Sequence, residues 1–215
     1  AKEINKFLEK AKVSNVVGDI AAIISPHAGY EYSGWVAAYG YKAVKDFKFS
    51  TVVVIAPSHH FDFQGSSVWL SGSFRTPLGD IAVDSQLGAK IASEEKNIRF
   101  LPQAFSKEHS LEVQVPFLQT VFKGIKIVPI VIGGFDFENC QSLAKALARS
   151  IGSRSDVLIV ASSDMSHYYP YDQAVIMDNK TLKLLENFDI YGLWNAARER
   201  RVELCGLSAV VTALL

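Results

Sequence analysis

"TVVVIAPSHH", residues 51–60, runs an unbroken apolar, β-branched stretch straight into a pair of histidines. A strand with one face in water alternates apolar and polar residues. A run without alternation fits a strand covered on both faces, as in a parallel sheet enclosed by helices. "DIAAIIS" (19–25), "KIVPIVIG" (126–133) and "VLIVASS" (157–163) have the same character. Between the runs, apolar residues return at helical spacing: Val36, Tyr39, Ala43 and Phe47 after the first, Leu143, Ala146, Leu147 and Ile151 after the third. Strands alternating with helices imply parallel pairing through right-handed crossovers. The predicted fold is α/β, a helix/sheet/helix sandwich around a mostly parallel or mixed sheet.

Outside these runs the chain is less regular. "SVWLSGSFRTPLGDIAVD" (67–84) carries the glycine and proline punctuation of short strands and a turn, with Asp84 placed to cap a helix over 85–95. In "EHSLEVQVPFLQTVF" the spacing is helical, and Pro116 either kinks the helix or begins it. Beyond residue 170 the chain reads as helical, and "CGLSAVVTALL" reads as the start of an apolar helix. The expectation is one domain over 1–215, with native sequence continuing past Leu215.

Composition narrows the function. Of 215 residues, 49% are hydrophobic and 20% charged, which argues for a filled core. Twenty-two basic residues balance twenty-two acidic ones without a long like-charge block, so neither nucleic acid nor an anionic membrane is an expected partner. No apolar run approaches the roughly 18 residues of a membrane span. The N-terminal "AKEINKFLEKAK" is unlike a signal peptide, and the expected location is cytoplasmic. Gly133 and Gly134, without a lysine, match no nucleotide-binding fingerprint.

All five histidines fall at strand ends or in irregular segments. His27 follows the first run, His59 and His60 the second, and His167 the fourth, while His109 lies in "SKEHSLEVQ". Open parallel sheets bind ligands in the crevice at the carboxyl ends of their strands, so these positions converge on one predicted face. Imidazoles converging with a carboxylate such as Asp164 point to a metal or to an acid/base site. Cys205 is either a thiolate ligand, favoured by the amides of a following helix, or a core cysteine under that helix. Cys140, within a helical segment, reads as a core thiol. His60 neighbours His59 and points elsewhere, toward the pocket wall or solvent. Tyr30, Tyr32 and Tyr168 either rim the pocket or simply pack.

Taken together, "PHAGYEYSG", "APSHH", "FRTPLGDIAVD", "EHSLEVQVPFLQ", "SSDMSHY" and "CG" before an apolar helix resemble the Memo family, which is similar to the class III non-heme iron extradiol dioxygenases. The resemblance implies His27, His59 and Cys205 as metal ligands, and Asp164, His167 and His109 as residues of the same pocket. Cys205 stands where the dioxygenases carry a glutamate, and thiolate in place of carboxylate shifts preference toward softer metals. Iron or copper is the expected metal, with zinc a further candidate.

Three functions follow from this reading. The first is a metal-dependent redox or oxygenase-like protein acting on a small aromatic or phenolic substrate, with His167 and Asp164 handling protons or orienting ligands. The second is a non-catalytic protein that binds a peptide or small molecule in the same pocket, and the third a zinc hydrolase. The resemblance also implies a radical-SAM system as a companion.

Overall fold

The computed structural model of the chain describes residues 1–14 and 16–215. Its strands are β1 (Ala22–Ser25), β2 (Thr51–Pro57), β3 (Ser66–Val68), β4 (Ser73–Thr76), β5 (Gly79–Ala82), β6 (Ile98–Arg99), β7 (Lys126–Ile132) and β8 (Val157–Ser162). Its α-helices are α1 (Lys2–Lys10), α2 (Trp35–Val44), α3 (Ser85–Glu94), α4 (His109–Glu112), α5 (Val115–Val121), α6 (Phe137–Ile151), α7 (Tyr171–Glu186), α8 (Ile190–Arg198) and α9 (Leu207–Leu214). A π-helical turn over Tyr30–Gly34 leads into α2.

Six strands form the main sheet in the order β1-β8-β2-β7-β3-β6. The first four in that order run parallel, β3 lies antiparallel to β7, and β6 is parallel to β3. The sheet is therefore mixed and mostly parallel, as the apolar runs predict. The segment expected to form short strands divides in two: β3 joins the main sheet, while β4 and β5 pair as a separate hairpin. Gly79 sits in that hairpin at φ 111°, a conformation that favours glycine.

The unbroken run of β2 is explained by cover on both sides, since every residue of Thr51–Pro57 is buried. Val53 and Ile55 face Leu143 and Leu147 of α6 and Val210 of α9. Val52, Val54 and Ala56 face Tyr41 of α2 and Leu118 of α5. Burying each Val or Ile side chain contributes roughly 1.5–3 kcal/mol, so the two cores together fix which face each strand residue takes. β1 is shorter than the predicted 19–25 and only partly buried. As an edge strand it has one partner, β8, although the Ala21 carbonyl still accepts the Ile159 N–H at 3.0 Å.

Two local predictions resolve clearly. Asp84 caps α3 by accepting the Leu87 N–H at 3.1 Å. Pro116 lies in the first turn of α5, where its missing N–H costs nothing, so the helix begins there instead of kinking. Among the described residues, no helix is long and apolar enough to cross a membrane.

Candidate metal centre

Because β1, β8 and β2 are parallel neighbours, their carboxyl ends lie side by side, with Ser25 opposite Ser162 and Ile55 opposite Ala161. His27 follows β1, His59 follows β2, and Asp164 and His167 follow β8. Cys205 arrives from the turn before α9. Gly206 makes that approach possible, since a Cβ there would stand 2.1 Å from the Ser162 carbonyl oxygen. The Cys205 N–H donates to the Asp164 carbonyl at 3.2 Å, and the Asp164 N–H points back at Cys205 Sγ at 3.2 Å.

Hydrogen bonding sets the tautomer of His27. Ser162 Oγ donates its single proton to the Ser110 carbonyl at 2.6 Å and accepts from Gln114 Nε2 at 2.8 Å. Toward His27 Nδ1, 2.9 Å away, it can then only accept. Nδ1 carries a hydrogen, and Nε2 faces Cys205 Sγ at 3.1 Å. Gln114, fully buried, is itself held by Tyr41 Oη at 2.7 Å and reaches the Pro26 carbonyl at 3.0 Å.

His59 and His167 are fixed by a device that differs from this one. The His59 N–H and Nδ1 both go to the Glu108 carboxylate, at 2.6 and 2.9 Å. The His167 N–H and Nδ1 both go to Glu203 Oε1, at 3.1 and 2.9 Å. A carboxylate only accepts, so each Nδ1 is the donor and neither Nε2 is engaged by its glutamate. Burial would raise the Glu108 carboxyl, but hydrogen bonds from His59 and Ser110 outweigh it and bring it down to about 2.

Burial would likewise raise the Cys205 thiol, yet hydrogen bonds from His27 and His59 hold it down at about 6. Cys205 and then Glu108 raise the His59 imidazole to about 10, against the opposing effect of its partial burial. The two groups thus draw each other toward thiolate and imidazolium, and His59 stands where a cation would meet the sulfur. The N–H that meets the sulfur belongs to Asp164, whereas the Gly206 N–H, at the start of α9, goes to Ser163 Oγ at 3.0 Å. Cys140 is the core thiol expected, fully buried and pushed up to about 11 by that burial.

The ligand atoms of His27, His59 and Cys205 lie within 4.8 Å of one another, and so do those of Asp164, His167 and Cys205. A tetrahedral site with bonds of about 2.0–2.3 Å needs its ligand atoms roughly 3.3–3.6 Å apart, so nitrogen and sulfur donors at this spacing fit a metal ion. His109 is exposed, its ring stacked on that of His59 at 6.0 Å and standing 6.4 Å from that of His27. His60 is exposed on the cavity wall, 6.4 Å from the His59 ring. Of the three tyrosines, Tyr30 packs on Phe117 and donates to the Val113 carbonyl, while Tyr32 and Tyr168 project into solvent. Beside the histidines opens a cavity of about 410 Å³ whose wall includes Phe61, Ile132 and Phe135.

Sequence reasoning missed Glu108, Glu203, Ser162 and Gln114, the residues that aim the imidazoles. Glu108 carried a signal, standing directly before His109 in "KEHS". Glu203 lies 36 residues from His167 and carried none.

The family model of the Memo-like protein matches residues 1–215. A MEMO1 family protein of Caldivirga maquilingensis is 37% identical over 198 residues, covering 91% of this chain and 70% of the relative. That of Nitrosopumilus maritimus is 34% identical over 212 residues, covering 98% and 76%. One from Thermotoga maritima is 36% identical over 209 residues, covering 95% and 73%. A family match over the whole chain, together with relatives at this identity, makes the chain a member of the Memo family.

Proposed function

We propose that the chain is a metal-dependent redox protein that oxidises a small aromatic or phenolic substrate, with dioxygen as the oxidant. One observation carries the reading: two imidazole nitrogens and a cysteine sulfur converge beside a cavity walled in part by Phe61 and Phe135. His27, His59 and Cys205 would hold the metal, leaving further positions open, as in non-heme iron sites with three protein ligands. Iron or copper bound there would supply the capacity to exchange electrons with substrate and oxygen.

The remaining roles belong to the chain's own residues. Glu108 and Ser162 keep His59 and His27 in the tautomer that offers Nε2 to a cation. Phe61 and Phe135 offer apolar faces to a flat ring. His109, beside His59 and open to solvent, takes the phenolic proton on an imidazole nitrogen. Asp164 and His167 border Cys205 and form a polar wall of the centre.

The test is oxygen consumption by iron- or copper-loaded protein against a panel of catechols and simple phenols. Uptake that depends on substrate and disappears in the His59→Ala, Cys205→Ala double variant is expected. Uptake that survives in that variant removes the proposal. Saturable binding of a phenol without uptake would instead make the pocket a binding site, and zinc with ester hydrolysis would make it a hydrolase.

A further inference from the structure

We infer that this centre holds two metal ions, the second on Asp164, His167 and the Cys205 thiolate, with the sulfur bridging both. The inference rests on the reading of His27, His59 and Cys205 as the first metal's ligands. Its starting point is that Cys205 belongs to both convergent groups of ligand atoms.

The construction of His167 carries the argument. In both His59 and His167 the backbone N–H and Nδ1 are bound by a single glutamate, which fixes ring orientation and tautomer at once. Tyr169 Oη donates to the other oxygen of Glu203 at 2.9 Å, so the carboxylate that aims His167 is itself anchored. A histidine serving only as a solvent-facing proton carrier does not require this support, whereas metal-ligating histidines regularly have it.

Asp164 is arranged to match. Its Oδ1 accepts the N–H of His27 at 2.7 Å and of Ala28 at 3.2 Å, which locks the carboxylate plane. Its Oδ2 stands 3.8 Å from His27 Nε2 and 3.8 Å from His167 Nε2, beyond hydrogen-bonding distance of either ring. Free nitrogen, free oxygen and shared sulfur thus face one another where a cation would meet all three.

Charge points the same way. Cys205, Asp164, Glu108 and Glu203 bring four negative charges to three histidines neutral in the metal-bound state. One divalent ion leaves half of that charge uncompensated in a partly buried site, and two neutralise it. A carboxylate, an imidazole and a bridging thiolate suit a borderline divalent ion such as Zn²⁺, Fe²⁺ or Co²⁺. Asp164 and His167 then act as ligands, leaving His109 to move protons.

Anaerobic titration with Co²⁺ tests this, read by bound metal per chain after desalting and by thiolate-to-cobalt absorption. Two equivalents are expected for the unaltered protein, and one for each of His167→Gln and His59→Gln, both keeping the thiolate band. Cys205→Ala loses the band. Glu203→Gln leaves every ligand in place and weakens one equivalent by about 10–100-fold, which carries the test if His167→Gln fails to fold. One equivalent in both the unaltered protein and His167→Gln, with none in His59→Gln, overturns the second position and leaves the first intact. No cobalt in the unaltered protein overturns both.

Discussion

Replacing Glu108 by Gln tests whether a buried carboxylate, and not its shape alone, organises the metal centre. Glu108 Oε1 accepts from His59 Nδ1 at 2.9 Å, from the Ser110 N–H at 3.1 Å and from Ser110 Oγ at 2.6 Å. Oε2 accepts the His59 N–H at 2.6 Å. Glutamine has one acceptor oxygen. Placed at Oε1 it sets its NH₂ against the His59 N–H, donor to donor, and the other orientation forfeits three bonds. In the better case one charge-assisted bond is lost, at about 1.5–3 kcal/mol, and the other three weaken. A total of roughly 2–4 kcal/mol lowers Tm by about 4–16 °C at 2–4 °C per kcal/mol for a chain of this size. With His59 no longer held, metal affinity falls by about 10–100-fold. Competition against a chelator and thermal unfolding followed by circular dichroism measure the two effects, with exposed Glu186→Gln as control. Affinity within twofold of the unaltered protein, together with an unchanged Tm, refutes the reasoning.

Other outcomes can be stated briefly. Tyr41→Phe leaves the buried Gln114 Oε1 without its donor and costs about 1–3 kcal/mol in urea unfolding; a loss below about 0.5 kcal/mol contradicts the network. At pH 7.5 iodoacetamide alkylates Cys205 and spares Cys140, because one thiol is held down at about 6 and the other up at about 11. Bound metal protects Cys205, and mass spectrometry showing equal labelling of the two cysteines defeats the assignment. The Cys140 thiol, raised from 9.0 to about 11 in the folded chain, contributes stability that is complete below pH 9 and lost as pH rises through 11. Stability measured relative to Cys140→Ala therefore declines by about 2 kcal/mol between pH 7 and pH 10.5. A constant difference between the two proteins rules this out.

The parallel centre of the sheet was legible because β2 and β7 are buried on both faces, and such burial writes itself as uninterrupted Val and Ile. β1 was drawn too long because an edge strand loses its pairing before its apolar residues run out. The antiparallel entry of β3 left no trace, since three residues carry too little pattern to reveal direction. At the site, position relative to strand ends was enough to bring His27, His59, Asp164 and His167 together. The residues that orient them were not visible, because a hydrogen-bond partner is selected in space: Glu108 meets His59 across 49 positions and Ser162 meets His27 across 135.

Cys205 and His27, 3.1 Å apart in space, are 178 positions apart in the chain. Every ligand is therefore absent as a group from the unfolded chain, and affinity for the metal is an attribute of the completed fold. Loading must come after folding, with the carboxyl-proximal cysteine arriving last during synthesis. An ion held by these ligands would stabilise only the native state, by about 2.7 kcal/mol at a hundredfold excess of free metal over Kd. Availability of such a metal in the surroundings would then set how long the molecule survives between unfolding events, as well as whether the proposed centre can work.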